Sequence, residues 1–228
     1  SLKRNARSSK WRTTLKLRLR IRTLLALAAF FVISTAAIAT PDQQTLLILG
    51  DSLSASYGID QKSGWVSLLA ERLRQQKIPA NVINAAISGD TTAGGLSRLG
   101  PALQTYHPDL LLLELGGNDG LRGLPIKAMH DNLASIIDQA HASGANVLLL
   151  GIRVPPNYGK RYTDAFDKVY VDLAREKNIP LVPFILKDVA NHAELMQNDS
   201  IHPTAEAQQQ VLDNIWPTLQ PLLLLPSK

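Results

Sequence analysis

Short runs of consecutive apolar residues alternate along the chain with longer segments in which apolar residues recur every three or four positions. Near-continuous apolar runs of this length are typical of strands buried on both faces of a parallel sheet. We therefore predict five strands, at Thr45–Leu49, Val82–Ala85, Leu110–Leu115, Val147–Leu150 and Pro180–Phe184.

The longer segments show the spacing of amphipathic helices. Trp65–Lys77 places Val66, Leu69 and Leu73 on one face, and the same pattern recurs in Ile126–His141 and Ala165–Lys177, with a last helix from about Thr204. Strands that alternate with helices of this length form βαβ units with right-handed crossovers. The pattern predicts an α/β domain in which helices cover both faces of a parallel sheet.

Three polar loops with glycine follow predicted strands directly. They are Gly50-Asp51-Ser52, Ser88-Gly89-Asp90 and Gly116-Gly117-Asn118-Asp119. Ligands of open parallel sheets bind beyond the carboxyl ends of the strands. We expect these three loops to converge there and to form the functional site.

The charge distribution separates the N-terminus from the rest of the chain. The 228 residues carry a formal charge of +5, but nine of the 24 basic residues lie within residues 1–22, which contain no acidic residue. Because 15 basic residues then face 19 acidic ones, the remainder carries −4, and we expect no nucleic-acid partner.

An apolar stretch, Thr23–Ala39, follows the basic run and ends in the small-residue pattern Ala37-Ile38-Ala39. This order is typical of a secretory signal peptide cleaved after Ala39. An uncleaved membrane anchor is the alternative, and would be the chain's one link to a membrane. We expect residues 1–39 to be a leader, residues 40–228 to form one domain, and the protein to be periplasmic or secreted.

The chain has no cysteine, which excludes a thiolate nucleophile, a disulfide framework and any Cys-ligated metal. Ser52 follows a buried strand at a turn where its own N–H is free, so it is a candidate nucleophile. From this tetrapeptide alone, a helix-capping serine is an equally physical interpretation. The sequence lacks the G-x-S-x-G elbow and the glycine-rich nucleotide-binding loops.

Asp199 and His202 lie three residues apart just before the last predicted helix. In this arrangement the carboxylate can take the Nδ1 proton of the imidazole, which leaves Nε2 to accept a proton from Ser52. A capping aspartate beside a surface histidine is the alternative. The other four histidines have no partner at metal-ligand spacing, so we expect no metal and no cofactor; they are His107, His130, His141 and His192.

Acyl transfer also needs hydrogen-bond donors for the oxyanion. The backbone N–H of Gly89 lies on a loop where only glycine lets a substrate approach closely. The side-chain amide of Asn118 and the N–H of Ser52 complete a set of three candidate donors. Glu114, inside an apolar strand, is expected to be structural and bonded by neighbouring loop amides.

These residues match four sequence blocks in order: GDSL from Gly50, Gly89, GGND from Gly116, and DSIH from Asp199. The chain thereby resembles the GDSL, or SGNH, hydrolases from about Leu46 to the C-terminus, and within them the periplasmic branch with thioesterase, protease and lysophospholipase activities. The resemblance implies a flavodoxin-like three-layer α/β/α sandwich around a parallel five-stranded sheet. It also implies Ser52 as nucleophile, His202 as base, Asp199 as its orienter, and Ser52, Gly89 and Asn118 as oxyanion donors.

In that branch, the loop after the asparagine block moves over the acyl chain. The corresponding residues, which we expect to bind substrate, are Gly120, Leu121, Arg122, Gly123, Leu124 and Pro125. From topology, Arg153 and Tyr158 are placed at the pocket mouth.

The resulting hypothesis is a monomeric serine esterase whose partners are small-molecule acyl esters and thioesters, including acyl-CoA-type thioesters, lysophospholipids and aryl or alkyl esters. An acetyl-polysaccharide esterase on the same fold is one alternative, and a non-catalytic lipid- or glycan-binding module is another.

Overall fold

The computed structural model describes residues 43–223, all within one compact unit, Pro41–Lys228. Five parallel strands form a single sheet in the order β2-β1-β3-β4-β5. The strands are β1 Gln44–Gly50, β2 Ala80–Asn84, β3 Leu110–Glu114, β4 Asn146–Leu150 and β5 Leu181–Val182. The predicted leader, residues 1–39, lies outside the described residues.

The two central strands explain the continuous apolar runs in the sequence. β1 pairs with β3 in the register Leu46 to Leu110 through Gly50 to Glu114. The four leucine and isoleucine side chains of β1 and the four leucines of β3 are fully buried, because helices cover the sheet on both faces. The register brings the carboxyl ends of the two strands level, so that the loops after them begin side by side.

Within residues 43–223, six α-helices connect or flank the strands: α1 Trp65–Gln75, α2 Thr92–Tyr106, α3 Gly117–Leu121, α4 Ile126–Ala142, α5 Lys160–Lys177 and α6 Gln208–Leu223. Helices α1 and α6 pack against each other, while α4 packs between α2 and α5. The predicted three-layer α/β/α sandwich is confirmed. The apolar faces of α1 and α4 are buried as their spacing predicts.

The sequence prediction missed α2 altogether. This helix contains Gly94, Gly95, Gly100 and Pro101, all poor helix formers. Tertiary contacts outweigh that propensity, because Leu99 and Leu103 are buried in the core. The helix also begins on a capping bond in which Thr91 Oγ1 accepts the Gly94 N–H at 3.2 Å.

Several predicted boundaries were wrong, and β2 runs from Ala80 to Asn84 rather than from Val82 to Ala85. Helix α5 begins at Lys160 rather than Ala165, α6 begins at Gln208 rather than Thr204, and β5 contains only Leu181 and Val182. β5 is an edge strand that pairs with β4 alone, and the chain leaves the sheet at Pro183. Between residues 43 and 223, no helix is both long and apolar enough to span a bilayer.

Candidate active site

The three loops predicted to converge do meet, at one cavity beyond the carboxyl ends of the strands. The cavity has a volume of about 880 Å³. The first loop contributes Asp51 and Ser52, the second Gly89, and the third Gly117 and Asn118. Each loop follows a strand of the central sheet, so the parallel topology itself assembles the site.

A hydrogen-bonded chain of three side chains borders the cavity. The Ser52 Oγ lies 2.8 Å from Nε2 of His202, and Nδ1 of His202 lies 2.6 Å from Oδ2 of Asp199. With the Nδ1 proton donated to the carboxylate, Nε2 accepts from the serine hydroxyl. This is the geometry of a nucleophile, a base and a group that orients the base.

Local backbone geometry presents His202 to the serine. Oδ1 of Asp199 accepts the backbone N–H groups of Ile201 at 2.9 Å and of His202 at 3.0 Å. Ser200, which follows Asp199, has φ of 57°, in the left-handed region, and this tightens the turn. The aspartate therefore organises its own turn and orients the imidazole at once.

A second set of contacts anchors this turn to the rest of the domain. The Gln197 amide Nε2 donates to the carbonyls of Tyr57 at 2.8 Å and Pro203 at 3.0 Å. The Gln197 backbone N–H donates to the His202 carbonyl at 2.7 Å. The Tyr57 ring packs against the imidazole with centroids 4.5 Å apart. These contacts connect the segment that carries the base to the loop that carries the nucleophile.

The Asp199 carboxyl is held in its charged form. Partial burial acts to raise its pKa, but the backbone N–H and imidazole of His202 and the N–H of Ile201 outweigh burial and lower the pKa from 3.8 to about 2. At neutral pH the carboxylate is ionised and stabilises a positive charge that develops on His202. This is the electrostatic condition for general-base action by the histidine.

At the cavity, the backbone N–H groups of Ser52 and Gly89 have no hydrogen-bond acceptor among residues 43–223. Gly89 has φ of +82°, a conformation that favours glycine, although the space around it is open. The Arg122 guanidinium donates to the Gly89 carbonyl at 2.8 Å and ties this loop to the segment after α3. Both N–H groups remain available to an anionic oxygen.

Asn118 lies on α3, a short helix where the sequence predicted only a loop. Its amide Nδ2 donates to Oδ2 of Asp51 at 3.1 Å. The next residue, Asp119, is buried and accepts the N–H and hydroxyl of Thr92 at 2.8 and 2.5 Å, which fastens α3 to the start of α2.

Three tyrosine hydroxyls brace the same segment from the side of α5. Tyr170 donates to the Leu115 carbonyl at 2.9 Å. Tyr162 donates to the Gly120 carbonyl at 3.3 Å, and Tyr158 donates to the Leu121 carbonyl at 2.8 Å. Burial raises the pKa of Tyr170 well above 10, so this hydroxyl remains a donor. The sequence analysis did not foresee this bracing, since it joins residues 37 to 55 positions apart.

The residues expected to form a substrate flap lie in different surroundings in the structure. Of the six, Leu121 lines the cavity. Gly120 is buried in α3, Arg122 contacts Gly89, and Gly123, Leu124 and Pro125 are exposed away from the lining. Tyr158 is not part of the cavity lining but donates to the carbonyl of the lining residue Leu121, whereas Arg153 lines the cavity as expected.

The sequence analysis missed most of the apolar wall. It is formed after β4 and β5 by Ile152, Val154, Pro155, Phe184, Leu186 and Ala190, with Met196 nearby. The rule that located the three polar loops would have found these residues if applied to the last two strands.

Glu114 is fully buried, and its surroundings differ in part from the expectation. One loop amide, that of Asp51, donates to its Oε2 at 3.2 Å, and the Ser54 hydroxyl donates to the same oxygen at 2.7 Å. Within the described range, no three histidine or carboxylate side chains are grouped as metal ligands.

Comparison with known proteins gives consistent matches. A family model described as "GDSL-like Lipase/Acylhydrolase family" matches residues 48–210. The chain is 52% identical over 180 residues to "Esterase TesA" of Pseudomonas aeruginosa, covering 79% of this chain and 90% of that protein. It is 43% identical over 194 residues to "Thioesterase 1/protease 1/lysophospholipase L1" of Escherichia coli strain K12, covering 85% and 91%.

Solved structures agree with the fold. The alignment with the crystal structure of TesA covers 78% of this chain and 99% of the TesA chain, with a TM-score of 0.77 and 52% sequence identity. That of AlinE4, described as an SGNH-hydrolase family esterase, covers 82% and 100%, with a TM-score of 0.67 and 38% identity.

Proposed function

The chain belongs to the GDSL-like lipase/acylhydrolase family, and on that premise we propose that Ser52, His202 and Asp199 are the catalytic triad of this esterase. The single observation that carries the proposal is the continuous hydrogen-bonded chain from the serine hydroxyl through the imidazole to the carboxylate. Each member occupies the position that its chemical role requires.

In the proposed reaction, the Ser52 Oγ attacks the acyl carbon while Nε2 of His202 takes the hydroxyl proton. The imidazolium then protonates the leaving oxygen or sulfur, and an acyl-enzyme remains. Water, activated by the same histidine, hydrolyses the acyl-enzyme and releases the carboxylic acid. The backbone N–H groups of Ser52 and Gly89 and the amide of Asn118 stabilise the oxyanion in both steps.

We assign acyl esters and thioesters as substrates, including acyl-CoA-type thioesters, lysophospholipids and aryl or alkyl esters. The cavity supports this assignment, because its wall after β4 and β5 is largely apolar and its volume is about 880 Å³. An acetyl group would leave most of that wall unused. The names of the relatives, esterase and thioesterase 1/protease 1/lysophospholipase L1, point to the same chemistry.

We also propose that residues 1–39 direct export and are removed, leaving residues 40–228 as the mature domain in the periplasm or outside the cell. The basic run followed by an apolar stretch and Ala37-Ile38-Ala39 supports this proposal. Since the triad and the three oxyanion donors all come from one chain, a monomer suffices for activity.

The test of the triad is hydrolysis of p-nitrophenyl butyrate by Ser52→Ala. We expect kcat to fall by at least about 10⁴-fold, because the nucleophile is lost while the fold is kept. Ser97→Ala is the matched control, since this exposed helical serine bonds only the Gly94 carbonyl, and it should retain wild-type rates. Activity that persists in folded Ser52→Ala would contradict the mechanism.

A panel of p-nitrophenyl esters from acetyl to decanoyl, with acetyl-xylan, separates the substrate classes. We expect kcat/KM to rise from acetyl to medium chains as successive methylene groups are buried against the wall, each contributing about 0.8 kcal/mol. A preference for acetyl esters together with release of acetate from acetyl-xylan would instead favour the polysaccharide esterase.

A further inference from the structure

Two carboxyl groups lie buried together directly beneath the candidate nucleophile. Asp51 is 2% exposed and Glu114 is fully buried. Among residues 43–223, neither forms an ion pair or hydrogen bond with a lysine or arginine. Two ionised carboxylates without a cation would be costly in this position, so the pair needs a physical account.

The chain leaves space for both groups at specific glycines. A Cβ on Gly50 would lie 2.8 Å from Oε2 of Glu114, and a Cβ on Gly117 would lie 3.2 Å from Oδ2 of Asp51. The strand register places Gly50 opposite Glu114. The carboxyl pair is therefore built into the backbone of two of the site's loops.

The hydrogen bonds show where the charge and the proton lie. Both oxygens of Asp51 accept N–H donors: Oδ1 from Leu53 at 3.1 Å and Oδ2 from Asn118 at 3.1 Å. In Glu114, Oε2 accepts two donors, while Oε1 has no donor partner within the described residues. The Asp51 N–H bond to Glu114 holds the two residues side by side, so a proton on one carboxyl relieves their repulsion, and Glu114 is the group with an oxygen free to carry it.

The electrostatics agree with this assignment. Burial raises the pKa of Asp51 from 3.8 to about 6, and burial together with the Asp51 charge raises the pKa of Glu114 well above 4.5. Both shifts favour the protonated form, as expected for two buried neighbouring carboxyls that cannot both be ionised.

Few charged side chains of the surrounding elements face Asp51 and Glu114. The nearby His202 acts electrostatically to lower the pKa of Asp51. The nearby hydroxyl of Tyr170 donates to Leu115, the Asp119 carboxylate is bound to Thr92, and the Arg98 guanidinium reaches the Gly50 carbonyl at 3.2 Å. The single negative charge is thus balanced chiefly by N–H donors, one of which is the amide of Asn118.

We propose that Asp51 and Glu114 are positioning residues that share one proton and, through the Asp51 carboxylate, fix the amide of Asn118 in the orientation that donates to the oxyanion. This inference rests on the proposed function. The Asn118 NH₂ group has two protons, and the bond to Asp51 uses one and leaves the other for substrate.

The charge on Asp51 is what selects this orientation. A rotated Asn118 amide would present its own oxygen to a carboxylate, which is repulsive. A neutral Asp51 could donate its O–H to that amide oxygen, so the rotated orientation of Asn118 would then be stabilised as well. Neutral Glu114 keeps the charge on Asp51, since two charges would not coexist there.

A double-mutant cycle on p-nitrophenyl butyrate tests the coupling. Asn118→Ala should lower kcat by about 10²–10³-fold, as expected for one oxyanion donor. Asp51→Asn should lower kcat by about 10–100-fold with KM within threefold, since its NH₂ group leaves either Leu53 or Asn118 without an acceptor. In the Asn118→Ala background, Asp51→Asn should cost less than threefold more. Multiplicative effects would overturn the proposal.

The site of the proton is tested at Glu114. Glu114→Gln supplies a permanent N–H donor in place of the carboxylic O–H and should keep at least half of the wild-type kcat. Glu114→Leu removes both donor and acceptor and should lose at least tenfold, while the surface control Glu176→Gln should be unchanged. If folded Glu114→Gln loses as much as Glu114→Leu, the proton is not on Glu114 and the proposal fails.

The two levels of inference fail separately. Activity in Ser52→Ala would remove the proposed triad itself. An inactive Ser52→Ala together with a multiplicative Asp51 and Asn118 cycle would keep the triad and remove only the positioning pair.

Discussion

Gly120 offers the sharpest mechanical test of how the fold supports the site. This buried glycine lies on α3, two residues after Asn118. A Cβ at Gly120 would lie 2.3 Å from Cγ1 of Val154 and 2.6 Å from Cε2 of Phe166. Ordinary contact distances exceed 3.4 Å. For Gly120→Ala, α3 must therefore move about 1 Å away from α5.

The expected cost follows from that displacement. A misplacement of about 1 Å costs up to about 10²-fold in rate, so we expect kcat to fall by about 10–100-fold as Asn118 moves from the oxyanion position. Overpacking costs about 1–3 kcal/mol, while alanine gains up to about 1 kcal/mol over glycine in a helix. The free energy of unfolding should fall by about 1–2 kcal/mol.

Gly100→Ala is the matched control, because this glycine lies in α2 with no atom within 4 Å of an added Cβ and without a positive φ. It should keep wild-type kcat and gain about 0.5–1 kcal/mol in stability. Both variants are compared by p-nitrophenyl butyrate kinetics and urea unfolding. Wild-type activity and stability in Gly120→Ala, or equal damage in Gly100→Ala, would refute the reasoning.

Two further predictions concern pH and processing. Because the pKa of Asp51 is raised from 3.8 to about 6 in the folded protein, its stabilising contribution is complete below pH 3.8 and is lost as pH rises through 6, by about 3 kcal/mol. Urea unfolding from pH 4 to 7 should show this loss in the wild type relative to Asp51→Asn, and parallel curves would count against it. Expression of the full chain in a Gram-negative host should yield a protein with the mass of residues 40–228, and a membrane-bound product that retains residues 1–39 would contradict cleavage.

The convergence of the candidate catalytic residues was predictable because each lies at a position that the local sequence marks. Ser52, Gly89 and Asn118 follow buried strands, and the parallel topology then requires them to meet. Asp199 and His202 are three residues apart, so one turn of chain is enough to pair them. The positions of these residues, after a strand or within one short turn, can therefore be read from the sequence.

Other parts of the fold had no local signal. Helix α2 contains three glycines and a proline, and only the burial of Leu99 and Leu103 and the attachment of Thr92 to Asp119 explain why it forms. The surroundings of the expected flap also had no local signal, because Gly120 packs against Val154 and Phe166, which are distant in sequence.

The sequence by itself determined the parallel α/β class, the candidate nucleophile with its candidate base and orienter, and the basic N-terminal run, since these depend on periodicity, motif order and charge along the chain. Only the tertiary structure decided how the candidate site is held: the tyrosine bracing of α3 and of the preceding Leu115, the apolar wall beyond β4 and β5, and the bond from the Asp51 N–H to Glu114. The physical reason is that burial and side-chain contact join residues far apart in the chain, and these set both the protonation of the carboxyl pair and the position of Asn118.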